Sequence, residues 1–119
     1  MKHIILEIEN KSKLNVKLAV SEKEKEYGLM NVNELPNNQG MLFYFNDLQK
    51  RSFWMKNTYI PLDVIFILNN TIVDIKKNNK PLNLDKIIST RKCNLVLEVN
   101  GNYTKFYNIR VGDTIKYFN

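Results

Sequence analysis

The chain has few of the residues that build common catalytic sites. Its 119 residues include one cysteine, one histidine and one tryptophan. A single cysteine excludes an intrachain disulfide, and we expect Cys93 to act as a small buried hydrophobic residue. Because His3 is the only histidine and lies at the start of the chain, we expect neither a histidine-based triad nor a zinc site with several histidines.

Other sequence signals are also missing. The four glycines form no phosphate-binding loop, and the acidic residues lack the spacing of a calcium loop, so we predict no metal and no cofactor. No apolar run approaches the roughly 20 residues that span a bilayer. The segment MKHIILEIEN lacks the features of a signal peptide. This predicts a cytoplasmic protein, or a periplasmic or secreted one if a leader has been removed.

The chain is rich in lysine. Its net charge is +6, carried by 15 lysines and only 3 arginines among the basic residues. The densest basic segment, residues 76–92, contains Lys76, Lys77, Lys80, Lys86, Arg91 and Lys92. Such a run is usually a solvated loop. Contact with nucleic acid is the weaker alternative, because nucleic-acid sites rely more on arginine.

Short apolar runs at even spacing predict a mainly β protein, with residues 1–119 forming one domain. The predicted strands are His3–Glu9, Leu14–Val20, Met41–Phe45, Ser52–Asn57, Asp63–Leu68, Thr71–Lys76, Leu95–Val99 and Thr114–Phe118. This pattern is typical of a small antiparallel β-sandwich or a partly closed β-barrel with one or two short helices.

Two short helices are predicted. Ser21 and Glu24 have the spacing of a capping box, and Gly28 is a natural helix end. The second helix covers Asn102–Asn108. Its aromatic residues have helical spacing, which predicts that they lie in the core. They are Tyr103, Phe106 and Tyr107.

One hairpin can be predicted in register. Asn69 and Asn70 tolerate positive φ and therefore favour a two-residue turn. This turn places Leu68 opposite Thr71, Phe66 opposite Val73 and Val64 opposite Ile75. That face is apolar and should lie on the core, whereas the other, half-polar face should meet water or a cavity.

Five short strings occur in order along the chain. They are Gly28-Leu29-Met30, Gly40-Met41-Leu42-Phe43, the long stretch FWMKNTYIPLDVIFI from residue 53, Leu97-Glu98-Val99 and Val111-Gly112-Asp113. In this order they resemble the bacterial and archaeal family called Domain of Unknown Function 192. The resemblance implies a compact, mainly β domain and no particular reaction. Lys25 and Val32 stand where the family often has arginine, so the resemblance does not imply an anion-binding site in this chain.

The long string also suggests a candidate site. Trp54 offers a flat apolar platform beside the donors of Lys56 and Asn57. Asp63 begins the next strand, and Lys56 could meet it across the intervening turn. The main hypothesis is a non-catalytic module that binds a small molecule or peptide at Trp54, Lys56, Asn57 and Asp63.

Three alternatives stay open. Lys56 and Asp63 could transfer protons in an enzyme of unknown class, or the same residues could simply fix strand register. The basic segment could bind nucleic acid.

Fifteen lysines on a small surface argue against tight self-association, so a monomer is expected.

Overall fold

The computed structural model describes residues 2–118, which form nine strands and two short helices. In chain order they are β1 His3–Ile8, β2 Ser12–Ala19, α1 Glu22–Tyr27, β3 Gln39–Gln49, β4 Ser52–Phe53, β5 Leu62–Leu68, β6 Thr71–Asn79, β7 Ile87–Ile88, β8 Cys93–Asn100, α2 Tyr103–Phe106 and β9 Ile115–Phe118. The predicted mainly β class is confirmed.

Seven strands form one curled sheet in the order β6-β5-β8-β3-β2-β1-β9, and β4 pairs with β7 in a second, small sheet. An isolated bridge between Thr71 and Thr114 links the two ends of the large sheet, which gives a half-barrel. The sheet is not purely antiparallel, because β2 and β3 run parallel. The long connection between them carries α1 across one face of the sheet.

Both faces of the large sheet are covered, because alternate residues of the central strands enter two different apolar clusters. On β5, Ile65 and Ile67 join the first cluster, whereas Val64 and Phe66 join the second. The prediction that the half-polar face of this strand meets water or a cavity was therefore wrong, because its Ile65 and Ile67 lie in the first cluster. Six of its seven residues are buried, since β6 and β8 flank it on both sides.

The hairpin turn is confirmed, with φ of 48° at Asn69 and 67° at Asn70. The predicted register holds for Leu68 opposite Thr71, but it shifts by one residue beyond Ile67. Phe66 therefore lies opposite Asp74 rather than Val73. An irregularity of this kind leaves one extra residue in a strand, which turn chemistry alone does not predict.

The first helix has the predicted cap. The hydroxyl of Ser21 accepts a hydrogen bond from the Glu24 amide at 3.1 Å, and the Glu24 carboxylate accepts one from the Ser21 amide at 3.0 Å. The second helix is shorter than predicted. Its Tyr103 is buried, but Phe106 is 80% exposed, so the prediction of a core position for Phe106 was wrong.

The segment predicted as a strand over Ser52–Asn57 is mostly a turn. Only Ser52–Phe53 pairs, because its partner β7 is itself two residues long. The chain then turns through Asn57, whose φ is 52°, and the Thr58 amide donates to the Met55 carbonyl at 3.1 Å. The side chains nevertheless alternate from Ser52 to Lys56. Phe53 and Met55 pack in the second cluster, whereas Ser52, Trp54 and Lys56 are exposed.

Candidate functional site

The predicted site residues do not form one cluster. Trp54 is 46% exposed, and the amine of Lys56 lies 5.1 Å from the centre of its ring. Asn57 is exposed in the turn, where its carbonyl accepts a hydrogen bond from the Asn31 amide at 2.8 Å. Only the platform of Trp54 beside Lys56 is found as the sequence suggested.

Asp63 lies elsewhere. It is fully buried, and its carboxylate accepts hydrogen bonds from the Asn78 amide at 2.8 Å and from the amide and hydroxyl of Thr104 at 3.0 and 2.7 Å. The expected meeting of Asp63 with Lys56 was therefore wrong. These bonds tie β5 to β6 and to α2, which is an architectural role.

The main cavity lies on the face of the large sheet that α1 crosses, and its volume is about 450 Å³. The loop after α1 contributes Gly28 and Met30, and β3 contributes Phe43. Phe53 and Trp54 come from β4 and the turn that follows it. Residues that are distant in sequence but belong to the strings noted above therefore line one cavity.

Glu98 lies at the base of this cavity, on β8. The residue is only 4% exposed, and within residues 2–118 the structure shows no hydrogen bond or ion pair to its carboxyl group. Burial raises the pKa of Glu98 from 4.5 to about 8. At neutral pH the side chain is therefore mostly a neutral acid, which can both donate and accept a hydrogen bond.

Glu98 and Asp63 lie on opposite faces of the sheet. On the paired strands β5 and β8, Glu98 is opposite Val64, whereas Asp63 is opposite Val99. Since directly opposed residues share a face, each acid is buried against a different cluster. The face of the sheet that packs in the second apolar cluster, with Val64, is the one that carries Glu98 and the cavity.

Two of the basic side chains at the rim of the cavity, Lys25 and Arg51, already have partners. Lys25 forms an ion pair with Glu22 at 3.2 Å, and its amine lies 4.4 Å from the ring centre of Phe45. The guanidinium of Arg51 lies 3.9 Å from the same ring centre and forms an ion pair with Asp47 at 2.7 Å. Hydrogen bonding to Arg51 lowers the pKa of Asp47.

The basic segment surrounds a second cavity of about 390 Å³. Lys76, Lys80 and Lys86 line it together with apolar Ile87 and Ile88. The remaining bases of the segment are exposed, and they are Lys77, Arg91 and Lys92. Half of the basic side chains of this segment therefore share one concave surface.

Sequence reasoning missed Glu98 as a site residue. Its signal was an acid inside the otherwise apolar run Leu95–Val99. In an alternating strand such an acid is read as pointing to water. Because β3 and β5 flank β8 on both sides, and because α1 and its loop cover the face, Glu98 is buried instead.

Comparison with known proteins identifies the family. The profile of Domain of Unknown Function 192, described as an uncharacterized ACR, matches residues 4–117. The chain belongs to this family. The resemblance inferred from the five strings is therefore confirmed, and a comparison with curated proteins finds no match.

Two solved structures of bacterial proteins share the fold of this DUF192 chain. A protein from Sinorhizobium meliloti, provisionally described as a transcription regulator, is 32% identical, with a TM-score of 0.93. The match covers 98% of this chain and 94% of that one. A protein of unknown function from Novosphingobium aromaticivorans is 29% identical with a TM-score of 0.90, over 96% and 84% of the two chains.

Two negative findings concern the described part of the chain. Neither helix within residues 2–118 has the length and apolar character needed to cross a membrane. Over the same residues, no three side chains of histidine, cysteine, aspartate or glutamate gather as a metal site would require.

Proposed function

We propose that this protein is a binding module that holds a small organic ligand in the cavity around Glu98. The observation that carries the proposal is the Glu98 carboxyl. The residue is only 4% exposed, its carboxyl group has no protein partner within the described residues, and the little surface it keeps borders the cavity. A buried polar group without a partner costs stability. A ligand that supplies the missing partner would recover that free energy.

The size and lining of the cavity support the same proposal. Its volume of about 450 Å³ falls within the roughly 300–1,000 Å³ of typical ligand sites. Aromatic walls with a few polar groups are the usual composition of such sites. Here Phe43, Phe53 and Trp54 provide the walls, and Glu98 and the buried Thr58 provide polar groups.

The proposal favours binding over catalysis. The enzyme alternative depended on Lys56 and Asp63, which lie apart, and both oxygens of Asp63 are already engaged. The hydroxyl of Thr58 donates to the Lys56 carbonyl at 3.1 Å, so it is not poised as a nucleophile.

A fragment screen by NMR tests the proposal. Binding compounds should shift the amide signals of Gly28, Phe43 and Glu98 and the indole signal of Trp54. Trp54→Ala should weaken binding while the protein stays folded, because Trp54 is half exposed. Tyr117→Ala is the matched control, since Tyr117 is equally exposed on β9 and does not line the cavity. A library of several hundred compounds that produces no shifts at this cavity would overturn the proposal.

Nucleic-acid binding is the second candidate function. Lys76, Lys80 and Lys86 line one cavity, and the related Sinorhizobium meliloti protein is provisionally described as a transcription regulator. Electrostatic binding of this kind falls steeply with added salt. Binding to a DNA duplex can be followed by fluorescence anisotropy.

Two triple variants give this second test a charge-matched comparison. Replacement of Lys76, Lys80 and Lys86 by glutamine should abolish DNA binding if the second cavity is the contact. Replacement of the exposed lysines of β2 and β9 removes the same charge and should leave binding largely intact. These are Lys13, Lys17 and Lys116. Absence of binding at low salt, or equal loss in both variants, rules out this candidate.

A further inference from the structure

We infer that the ligand of the main cavity carries a basic amino group, which the Glu98 carboxylate receives at the base of the cavity. This inference deepens the proposed function and rests on it. It concerns the chemical class of the ligand, which neither the fold nor the family description specifies. Three features of the cavity support it: the charges, the aromatic walls and the proton balance.

Among the charged residues that line the cavity, Glu98 is the buried one without an ion pair within residues 2–118. Glu26 and Lys50 also line the cavity without an ion pair there, but both are exposed and their charges are opposite in sign. Lys25 is paired with Glu22 and donates to the Tyr44 carbonyl at 3.2 Å. Arg51 is paired with Asp47 and donates to the Cys93 carbonyl at 3.1 Å. Glu98 has no comparable partner among residues 2–118. The buried group that lacks a partner is therefore an acid, and a positively charged ligand group is its electrostatic complement.

The walls suit a cation as well. The rings of Phe43 and Phe53 are 5.1 Å apart in an edge-to-face arrangement, and Trp54 is nearby at the mouth. Aromatic rings attract cations through the negative charge of their faces, and Trp does so most strongly. The amine of Lys56 lies 5.1 Å from the centre of the Trp54 ring, which is within the range of such a contact.

The proton balance distinguishes an amine from a neutral ligand. An uncharged alcohol would gain one ordinary hydrogen bond with the protonated acid, whereas an ammonium group would gain a charge-assisted one, which is roughly twice as strong. Since burial raises the pKa of Glu98 to about 8, the free protein holds a proton there at pH 7. Binding of an ammonium ion would release this proton to solvent. Amine affinity should therefore rise as the pH increases from 6 to 8.

Benzylamine and benzyl alcohol are the probes, because they differ mainly in the group that would reach Glu98. Trp54 is the only tryptophan, so its fluorescence reports binding at the cavity directly. At pH 8, wild-type protein should bind the amine at least about tenfold more tightly than the alcohol. Calorimetry at pH 7 in phosphate and in Tris should show the release of close to one proton per amine bound.

Two variants complete the test. Glu98→Gln should lower amine affinity by about tenfold or more and change alcohol affinity by less than about threefold. Glu34→Gln makes the same chemical change at an exposed position outside the cavity and should change neither affinity.

The outcomes separate the two proposals. Alcohol binding as tight as amine binding, or amine binding that Glu98→Gln leaves unchanged, overturns the amine inference and leaves the proposed function standing. The same holds if neither probe binds but the fragment screen finds other ligands in the cavity. If no compound of any class binds there, both proposals fail.

Discussion

Gly28 lies beside Glu98, and a β-carbon built on Gly28 would be in ordinary van der Waals contact with a carboxylate oxygen of Glu98, at 3.9 Å. The same β-carbon would lie 3.4 Å from the ring of Phe43. Gly28 also has φ of 54° and ψ of −128°, a conformation that side chains rarely allow. The loop after α1 can therefore form a wall of the cavity because residue 28 is glycine.

Gly28→Ala should lower both stability and ligand affinity. The strained backbone should cost about 1–3 kcal/mol of the free energy of unfolding, measured with urea. The added methyl group should also reduce binding of any cavity ligand. Gly112→Ala is the matched control, since Gly112 has φ of 100° and open space around it. It should lose stability but keep full affinity, and equal affinities for the two variants would contradict this account of the wall.

Stability should fall as the pH rises from about 4.5 to about 8 because of Glu98. The folded protein keeps the Glu98 proton until its raised pKa of about 8, whereas the unfolded chain releases it near 4.5. In this window the folded state binds more protons, so the free energy of unfolding decreases with pH. The slope from this group is at most about 1.4 kcal/mol per pH unit.

The difference between wild type and Glu98→Gln isolates this effect from all other titrating groups. Urea unfolding at several pH values should show wild type losing stability relative to the variant across the window, with no further change above about pH 8. Parallel curves for the two proteins would show that Glu98 titrates like a solvated acid.

Asp63→Ala should destabilise the fold without affecting the cavity. The change removes three hydrogen bonds. It leaves the buried amide and hydroxyl of Thr104 and the partly buried amide of Asn78 without this acceptor. The expected loss is about 3–5 kcal/mol. Asp63→Asn keeps one acceptor oxygen and should lose less. A loss of less than about 1 kcal/mol in the free energy of unfolding would contradict the architectural role. Altered ligand affinity at unchanged stability would show that Asp63 belongs to the binding site.

Cys93 should be inert in the folded protein. It is fully buried on β8, and burial raises its pKa, so little reactive thiolate is present. A thiol reagent such as DTNB should label it only at the rate of unfolding, and labelling should become fast in urea. Complete labelling of Cys93 within minutes in native buffer would contradict this prediction.

Local features of the fold were predictable from sequence. The capping box of Ser21 and Glu24 depends on contacts within four residues. The turn at Asn69 and Asn70 depends on the backbone conformation of two adjacent residues. Both are correct because no distant part of the chain is needed to form them. The predicted hairpin register was wrong beyond Ile67. The register shifts there by one residue, and packing between the strands decides where this irregularity lies.

The candidate site was predictable only in part, because its geometry is non-local. Trp54 was identified as a platform, and it does line the cavity. Glu98 was not, since its burial depends on β3, β5 and the loop after α1, all distant in sequence. Asp63 was grouped with Lys56 because they are close along the chain, yet the turn at Asn57 separates them.

An NMR titration of the Glu98 carboxyl carbon tests the central claim most directly. The protein is labelled with ¹³C at glutamate, and the Glu98 signal is identified by its absence in Glu98→Gln. We predict a midpoint near pH 8 in the free protein, which moves when a ligand from the fragment screen is added. A midpoint near 4.5 that no ligand changes would contradict the claim that Glu98 is the buried acid of a binding site.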